Sequence, residues 1–417
     1  MKRIVYREWR ISPQRYWSIL GILAAVVGVG ALAFGYMEHE GHWVTGMNNS
    51  VVWGTPHVFA VFLIISSSGA LNIASIGTVF QKPIYKPLGR LSGLLAVALL
   101  MGGLLVLVTD LGRPERLIVA MTTYNFSSIF AWNIFLYTGF MAIVIAYLWT
   151  MADRQGSAFK RPVGILALVW RLALTTGTGS IFGFIVARQA FDAAILGPMF
   201  VAMSFAYGLA VFMLVLMFAF NDDERPIGPV MLRRLKNLLA LFVAIVLYFT
   251  LIYHLKNLYI TENASLETWL LLKGGIYTFL FWIGWVLIGS LVPLGILYHP
   301  ELSKEPKWVA AACALVIAGG LATMYVVIIG SQAFPIQMFP GRTVLESGFL
   351  DGVNGQAAPY WPTLPELLLG LGGVGVALLI TAVGVRVLQF LPESLADDVV
   401  PPCEETIASA EADPELA

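Results

Sequence analysis

The sequence predicts an all-α polytopic membrane protein of about ten transmembrane helices. Three observations predict it. Of 417 residues, 58% are hydrophobic and only 12% are charged. Soluble domains carry about 25% charged residues, so an ordinary globular enzyme is excluded. Apolar runs long enough to span a bilayer, ~20 residues, recur along the sequence. Lys and Arg also segregate into alternate connections between these runs, as membrane topology requires.

The runs fall at about 17–37, 54–77, 92–109, 128–150, 163–187, 196–220, 238–258, 268–298, 308–330 and 366–390. The first follows a basic segment, 1–16. Ala31-Leu32-Ala33 has the spacing of a cleavage site, but the preceding run exceeds the ~7–15 residues of a signal-peptide core, so this helix is expected to stay. The second opens on Trp53-Gly54-Thr55-Pro56-His57, and proline suits the first turn of a helix. The third ends at Asp110, and the fourth starts beyond Tyr124-Asn125. The fifth carries Arg171 followed by Thr175, Thr176, Thr178 and Ser180. The eighth is long enough to tilt or to project from the bilayer. Residues 17–390 thus read as one transmembrane domain. Residues 391–417 carry acids and no bases, and read as a disordered cytoplasmic tail.

With the N-terminus inside, 18 of the 25 Lys and Arg residues lie on the cytoplasmic side, and both termini are cytoplasmic. The opposite side keeps Arg113, Arg116, Arg188, Lys256 and Arg342, while Arg171 and Lys273 fall within runs. That opposite side receives the connections 38–53, 110–127, 188–195, 259–267 and 331–365. The last is long enough to suggest a function.

Two cysteines, Cys313 and Cys403, are too few for an iron–sulfur cluster, which needs about four thiolates. Among the histidines, His39 and His42 lie in the first outer connection and His299 at an inner helix end. Only His57 and His254 could approach one another within the outer leaflet. The expectation is that no heme or other metal centre is bound.

Chemistry concentrates at 109–137, TDLGRPERLIVAMTTYNFSSIFAWNIFLY, where polar groups meet a membrane boundary. Such groups are costly there unless paired, wet or functional. Asp110, Tyr124, Asn125 and Asn133 join His57, Arg188 and Gln332 at the outer ends of five runs. Read structurally, they cap helix ends, with Asp110 paired to Arg113 or Arg188. Read functionally, with Trp53, Phe126 and Trp132 among them, they suit a planar amphiphile. A quinone headgroup offers two carbonyls to donors and a ring to apolar walls, and imidazole is suited to proton exchange. Arg171 and the hydroxyls after it read either as a polar file toward this pocket or as close helix packing.

The runs WGTPHVF, DLGRP, YNFSSIFAWNIFLY, GSIFGFIVARQAF and VVIIGSQAFPIQMFPG, in this order, resemble the NrfD/PsrC family of membrane subunits. Within it, the ten-helix count and the GSQAFP…FPG ending look most like the DsrP branch of the DsrMKJOP sulfur-metabolism complex. The resemblance implies two four-helix bundles plus extra helices in a bacterial cytoplasmic (inner) membrane. It implies a quinone-reactive subunit that takes menaquinone or ubiquinone as substrate and binds no heme or iron–sulfur cluster itself. The expected partners are an extracytoplasmic ferredoxin-like iron–sulfur subunit and other subunits of a multi-subunit redox complex, with cytochrome subunits as candidates. Nothing points to nucleic acid.

On this reading His57 and Asp110 are the catalytic pair. His57, Tyr124, Asn125, Asn133, Arg188 and Gln332 line the quinone, Arg113 and Arg116 dock the partner, and Arg171 with Asp110 carries protons. Met324-Tyr325 stands where some relatives have an arginine, which departs from the pattern. A secondary transporter would instead place its polar groups near the midplane. A non-catalytic anchor for redox subunits is the other alternative.

Overall fold

Among the described residues of the computed structural model, ten helices are long and apolar enough to cross a membrane. The structure describes residues 4–153, 155–222, 225, 227–334 and 360–397. The helices are α1 (Pro13–Glu40), α2 (Thr55–Thr78), α3 (Gly89–Thr109), α4 (Ile129–Ala152) and α5 (Lys160–Gly183). They continue as α6 (Leu196–Asp222), α7 (Pro229–Tyr259), α8 (Ile276–Tyr298), α9 (Pro306–Ala333) and α10 (Leu364–Val387). The protein is an all-α, multi-pass membrane protein. Proline stands in the first turn of α1, α2, α7, α9 and α10, where its missing N–H breaks no helical bond.

Helices α2 to α5 pack as one four-helix bundle and α6 to α9 as a second, while α10 packs on α3 and α2 and α1 packs on α10. The bundles meet mainly where α2 crosses α6. A Cβ at Gly69 would overlap the Ser204 carbonyl, and one at Gly208 would overlap the backbone of Gly69 and Ala70. Burying apolar surface gains little in lipid, so close backbone approach and interhelical hydrogen bonds hold such crossings. Helix α2 is buried along nearly all of its span, whereas α1 and α4 leave most of their apolar surface outward.

The expected helix over 268–298 is broken. Short helical segments, Ala264–Thr268 and Trp269–Lys273, precede a turn at Gly274-Gly275, and α8 begins only at Ile276. Gly275 has φ +58, a conformation that costs glycine nothing and that hydropathy does not register. Lys273 therefore lies outside the span. Inside α8, Leu280–Leu291 winds as a π-helix, and Val326–Gly330 of α9 does the same. The fifth run, read to residue 187, stops as a helix at Gly183, after which Phe184 bridges Asp192.

The two terminal segments meet on one face. Tyr6–Arg7 (β1) pairs antiparallel with Leu391–Pro392 (β2). Arg225 donates to the carbonyls of Pro392 at 2.8 Å and Glu8 at 3.0 Å, and Arg386 donates to that of Trp9 at 2.6 Å. Burial pushes the Tyr6 hydroxyl above its ordinary pKa, and it donates to the Lys86 carbonyl. Residues 391–397, assigned by composition to the tail, are thus packed, with Leu391 and Leu395 buried. Residues 398–417 and most of the 331–365 connection, including the FPG ending and Arg342, lie outside the described residues.

Candidate functional site

On the face opposite the terminal segments, α2 begins beside the end of α3. Gly54 and Pro56 start α2, which puts His57 in its first turn. Asp110 closes α3, its amide donating to the Val106 carbonyl at 3.1 Å. The backbone then reverses at Gly112, whose φ of +69 disfavours any residue with a Cβ. These two helix ends bring His57 Nδ1 to 2.9 Å from Asp110 Oδ2. The two atoms lie within hydrogen-bond distance, but the ring is not aligned for a straight hydrogen bond. The Asp110 side chain is 1% exposed and that of His57 20%. A carboxylate this buried requires a close partner. The structure puts His57 there; Arg113 and Arg188 are the partners on the structural reading of the sequence, and His57 on the functional one.

An aromatic wall stands beside the pair. The Trp53 ring lies 6.2 Å from that of His57, with Phe182 at 5.6 Å, Phe191 at 6.0 Å and Phe130 at 6.1 Å from Trp53. Phe130 and Trp132 are exposed on the outer turn of α4, so the wall opens sideways rather than into the bundle.

The loop that carries Trp53 is held by groups that the sequence placed in the pocket. Gln332 Oε1 accepts from the amides of Val52 at 3.0 Å and Trp53 at 3.1 Å, while Nε2 donates to the Trp53 carbonyl at 3.0 Å and to that of Ile328 at 2.8 Å. Arg188 donates to the carbonyls of Gln332 at 2.7 Å and Ser50 at 2.6 Å, and burial lowers its pKa. Both side chains clamp backbone. Asn133 does so too, donating to the carbonyls of Ile129 at 2.9 Å and Gly177 at 3.0 Å and so joining α4 to α5. Tyr124 packs on Phe135, with ring centroids 4.7 Å apart, and Asn125 accepts from the Ser127 amide at 3.0 Å ahead of α4. Arg113 and Arg116 are exposed on the turn after Asp110, with Ile118, Val119 and Phe126 exposed next to them.

Two features went unread in the sequence. Glu366, fully buried, accepts from Tyr360 Oη at 2.8 Å, the Gly46 amide at 3.1 Å, and both the amide and hydroxyl of Thr363. Tyr360 Oη in turn accepts from the Thr55 amide at 2.7 Å, two residues before His57. Burial first, and the Glu366 charge second, push the Tyr360 hydroxyl far above its ordinary pKa, so it stays protonated as a donor. Thr363-x-x-Glu366 before an apolar run is a capping box, the signal that could have found it. Tyr360 carried none. The second feature is His42, whose ring lies against Gly112 and whose buried Nε2 has no partner among the described residues.

Deeper in the first bundle, Arg171 is buried. It donates to Asn72 Oδ1 at 2.8 Å and lies 5.1 Å from the Phe205 ring centre. Thr175 donates to Ser68 Oγ at 2.6 Å. One turn further, Thr178 lies 3.2 Å from Tyr137 Oη, with Asn133 above it. His57 and His254, the two histidines that could have faced one another, each have an acid of their own. For His254 that acid is Glu267, at 2.8 Å.

Comparison with known proteins agrees with this architecture. The family model described as polysulphide reductase, NrfD, matches residues 43–336. The protein is 29% identical over 390 residues to the Hdr-like menaquinol oxidoreductase integral membrane subunit of Archaeoglobus fulgidus, covering 93% of this sequence and 96% of that one. It is 24% identical over 412 residues to a selenate reductase subunit of Mesobacillus selenatarsenatis, covering 89% and 93%. It is 23% identical over 309 residues to a polysulfide reductase component of Wolinella succinogenes, covering 69% and 96%. The protein belongs to the NrfD polysulphide reductase family of membrane proteins.

Proposed function

We propose that this protein is the quinone-reactive membrane subunit of a respiratory or sulfur-metabolism redox complex. In this reading it exchanges electrons between a menaquinone- or ubiquinone-type pool and an extracytoplasmic iron–sulfur subunit. The observation that carries the reading is the His57–Asp110 pair, buried at one helix junction yet opening past Trp53 and Phe130 toward the lipid. The names of the relatives, which include a menaquinol oxidoreductase subunit, support it.

A quinol loses two electrons and two protons on oxidation. His57 Nε2 would take one hydroxyl proton, with Asp110 at Nδ1 stabilising the resulting imidazolium, and the second proton would pass to water at the outer mouth. An iron–sulfur centre in the partner would accept the two electrons, one at a time. In the reverse direction the same imidazolium donates to a quinone carbonyl. Trp53 and Phe130 supply the flat apolar wall that the ring requires. Gln332 and Arg188 hold the Trp53 loop, and Tyr124 and Asn125 shape the mouth. Arg113 and Arg116, with the exposed Ile118, Val119 and Phe126, form the docking surface for the partner.

The buried groups Asn72, Arg171, Ser68 and Thr175, then Thr178, Tyr137 and Asn133, form the route for protons between the terminal face and the site. Arg171→Met tests this route, with turnover expected to fall about tenfold and quinone affinity kept. A folded variant with full turnover would leave Arg171 as packing alone.

Quinone-dependent turnover of the assembled complex tests the central reading. His57→Gln should lower it about 100-fold, within the range of general acid–base catalysis, with the subunits still assembled. Unchanged turnover would reduce the protein to an anchor.

A further inference from the structure

The second bundle holds an acid–base pair that quinone chemistry at His57 does not use. His254 lies near the end of α7, on the same face as His57 but in the other bundle. Its Nδ1 is 2.8 Å from Glu267 Oε2, and Glu267 Oε1 accepts from Asn257 Nδ2 at 2.8 Å. Glu267 is fully sequestered and His254 is 6% exposed. Among the described residues, no Lys or Arg is a hydrogen-bond partner of this carboxylate. A lone buried carboxylate is expensive, whereas imidazolium and carboxylate together carry no net charge. The cheapest compensation open to Glu267 is therefore a proton on the pair.

Two further observations point to exchange rather than a fixed strut. His254 Nε2 has no hydrogen-bond partner among the described residues, although Tyr253, Phe281 and Trp285 enclose the ring with centroids at 4.9, 4.7 and 6.2 Å. A ring held only to brace Glu267 would not need to bury an unsatisfied nitrogen, which is destabilising. The polar contacts also run one way. Asn263 donates to Asn257 Oδ1 at 3.3 Å, and its neighbour Glu262 is exposed on the connection to α8. In the opposite direction, Trp285 leads to a crevice between α6, α7, α8 and α9, lined by Tyr207, Val246, Ser290 and Thr323, with no room for a water molecule.

We propose that His254 and Glu267 form a second proton-binding site, which takes up and releases one proton on the His57 face, past Asn257 and Asn263. The step adds a proton to the imidazole, converts a net negative pair into a neutral one, and reverses without oxidation or reduction. The titratable and charged groups around the pair are few. Tyr253 and Lys256 lie on its own helix, and Tyr253 donates to the Ala190 carbonyl. Lys256 donates to the carbonyl of Asp192, on the connection after α5, at 3.4 Å. Helix α8 presents Phe281 and Trp285 to the ring.

The test is ¹⁵N-histidine magnetic resonance of the full-length protein in lipid, between about pH 5 and about pH 9, bracketing ordinary imidazole titration. The signal lost in His254→Gln identifies the residue. The proposal expects that signal to move from neutral imidazole to imidazolium as pH falls. Glu267→Gln, which preserves an acceptor for Nδ1, should shift or abolish the transition in a protein that still folds. A His254 signal constant across the range, or a transition indifferent to Glu267→Gln, would overturn the proposal. The readout requires no quinone and stands or falls apart from the His57 reading.

Discussion

His57 and Asp110 come from different helices, and only the packing of α2 on α3 makes them a pair. Asp110 is the more informative residue to change, because it touches the imidazole and lies behind it. Asp110→Asn keeps the size and an acceptor but removes the charge that stabilises imidazolium. Turnover should fall about 100-fold, with quinone affinity changed less than threefold, as checked by steady-state kinetics against quinone concentration. Local chemistry was legible here. Proline in the first turn of α2 and the Asp-Leu-Gly-Arg-Pro turn after α3 both announce helix ends with polar groups exposed. The sequence offered His57, Arg113 and Arg188 as partners for Asp110, and sequence distance could not choose among them. Arg188 turned out to spend its guanidinium on two backbone carbonyls. Gln332 was read as a ligand-facing amide for the same reason. Nothing in a sequence separates an amide that faces a pocket from one that brackets a loop.

The elements show how the site is held. The Trp53 loop hangs between Gln332 on one side and Thr55–Tyr360–Glu366 on the other. Gln332→Ala removes three hydrogen bonds to the Val52–Trp53 backbone. Its expected effect is a loosened wall, with KM for quinone raised about tenfold and kcat changed less. A large fall in kcat at unchanged KM would instead place Gln332 on the reacting atoms. The crossing of α2 and α6 allows a stability prediction. Gly208→Leu forces a side chain into the backbone of Gly69 and Ala70. Overpacking costs about 1–3 kcal/mol where neighbours can shift, and backbone shifts less readily than side chains. The variant should lose most of its folded yield and unfold at markedly lower temperature in detergent, whereas a normal melting curve would refute the close approach. Hydropathy located all ten spans but missed the break at Gly274-Gly275. A helix broken by a positive-φ glycine remains apolar on both sides of the break, and composition averages over it.

At the scale of the molecule, two four-helix bundles share one working face, and the terminal segments are stitched together on the other. From the Lys and Arg distribution we propose that the terminal face is cytoplasmic. That orientation can be checked with a membrane-impermeant maleimide in Cys403→Ser protein, whose remaining Cys313 is buried. Trp43→Cys, at an exposed position on the His57 face, should be labelled from outside intact cells, and Lys307→Cys only after lysis. The opposite pattern would invert the topology and move the partner to the cytoplasm. The pairing of β1 with β2 was not visible in composition, because acidic residues and prolines after α10 read as solvated polypeptide. Two buried leucines, Leu391 and Leu395, are what tie its start down.

The proposed function requires a quinone ring against Trp53, within reach of His57. A photoreactive quinone analogue, cross-linked in the intact complex and mapped by peptide mass spectrometry, measures that directly. Adducts are expected on the segments holding Trp53, His57 and Phe130, suppressed by excess natural quinone. Competed adducts confined to the second bundle, around Trp285, with none near His57, would contradict it.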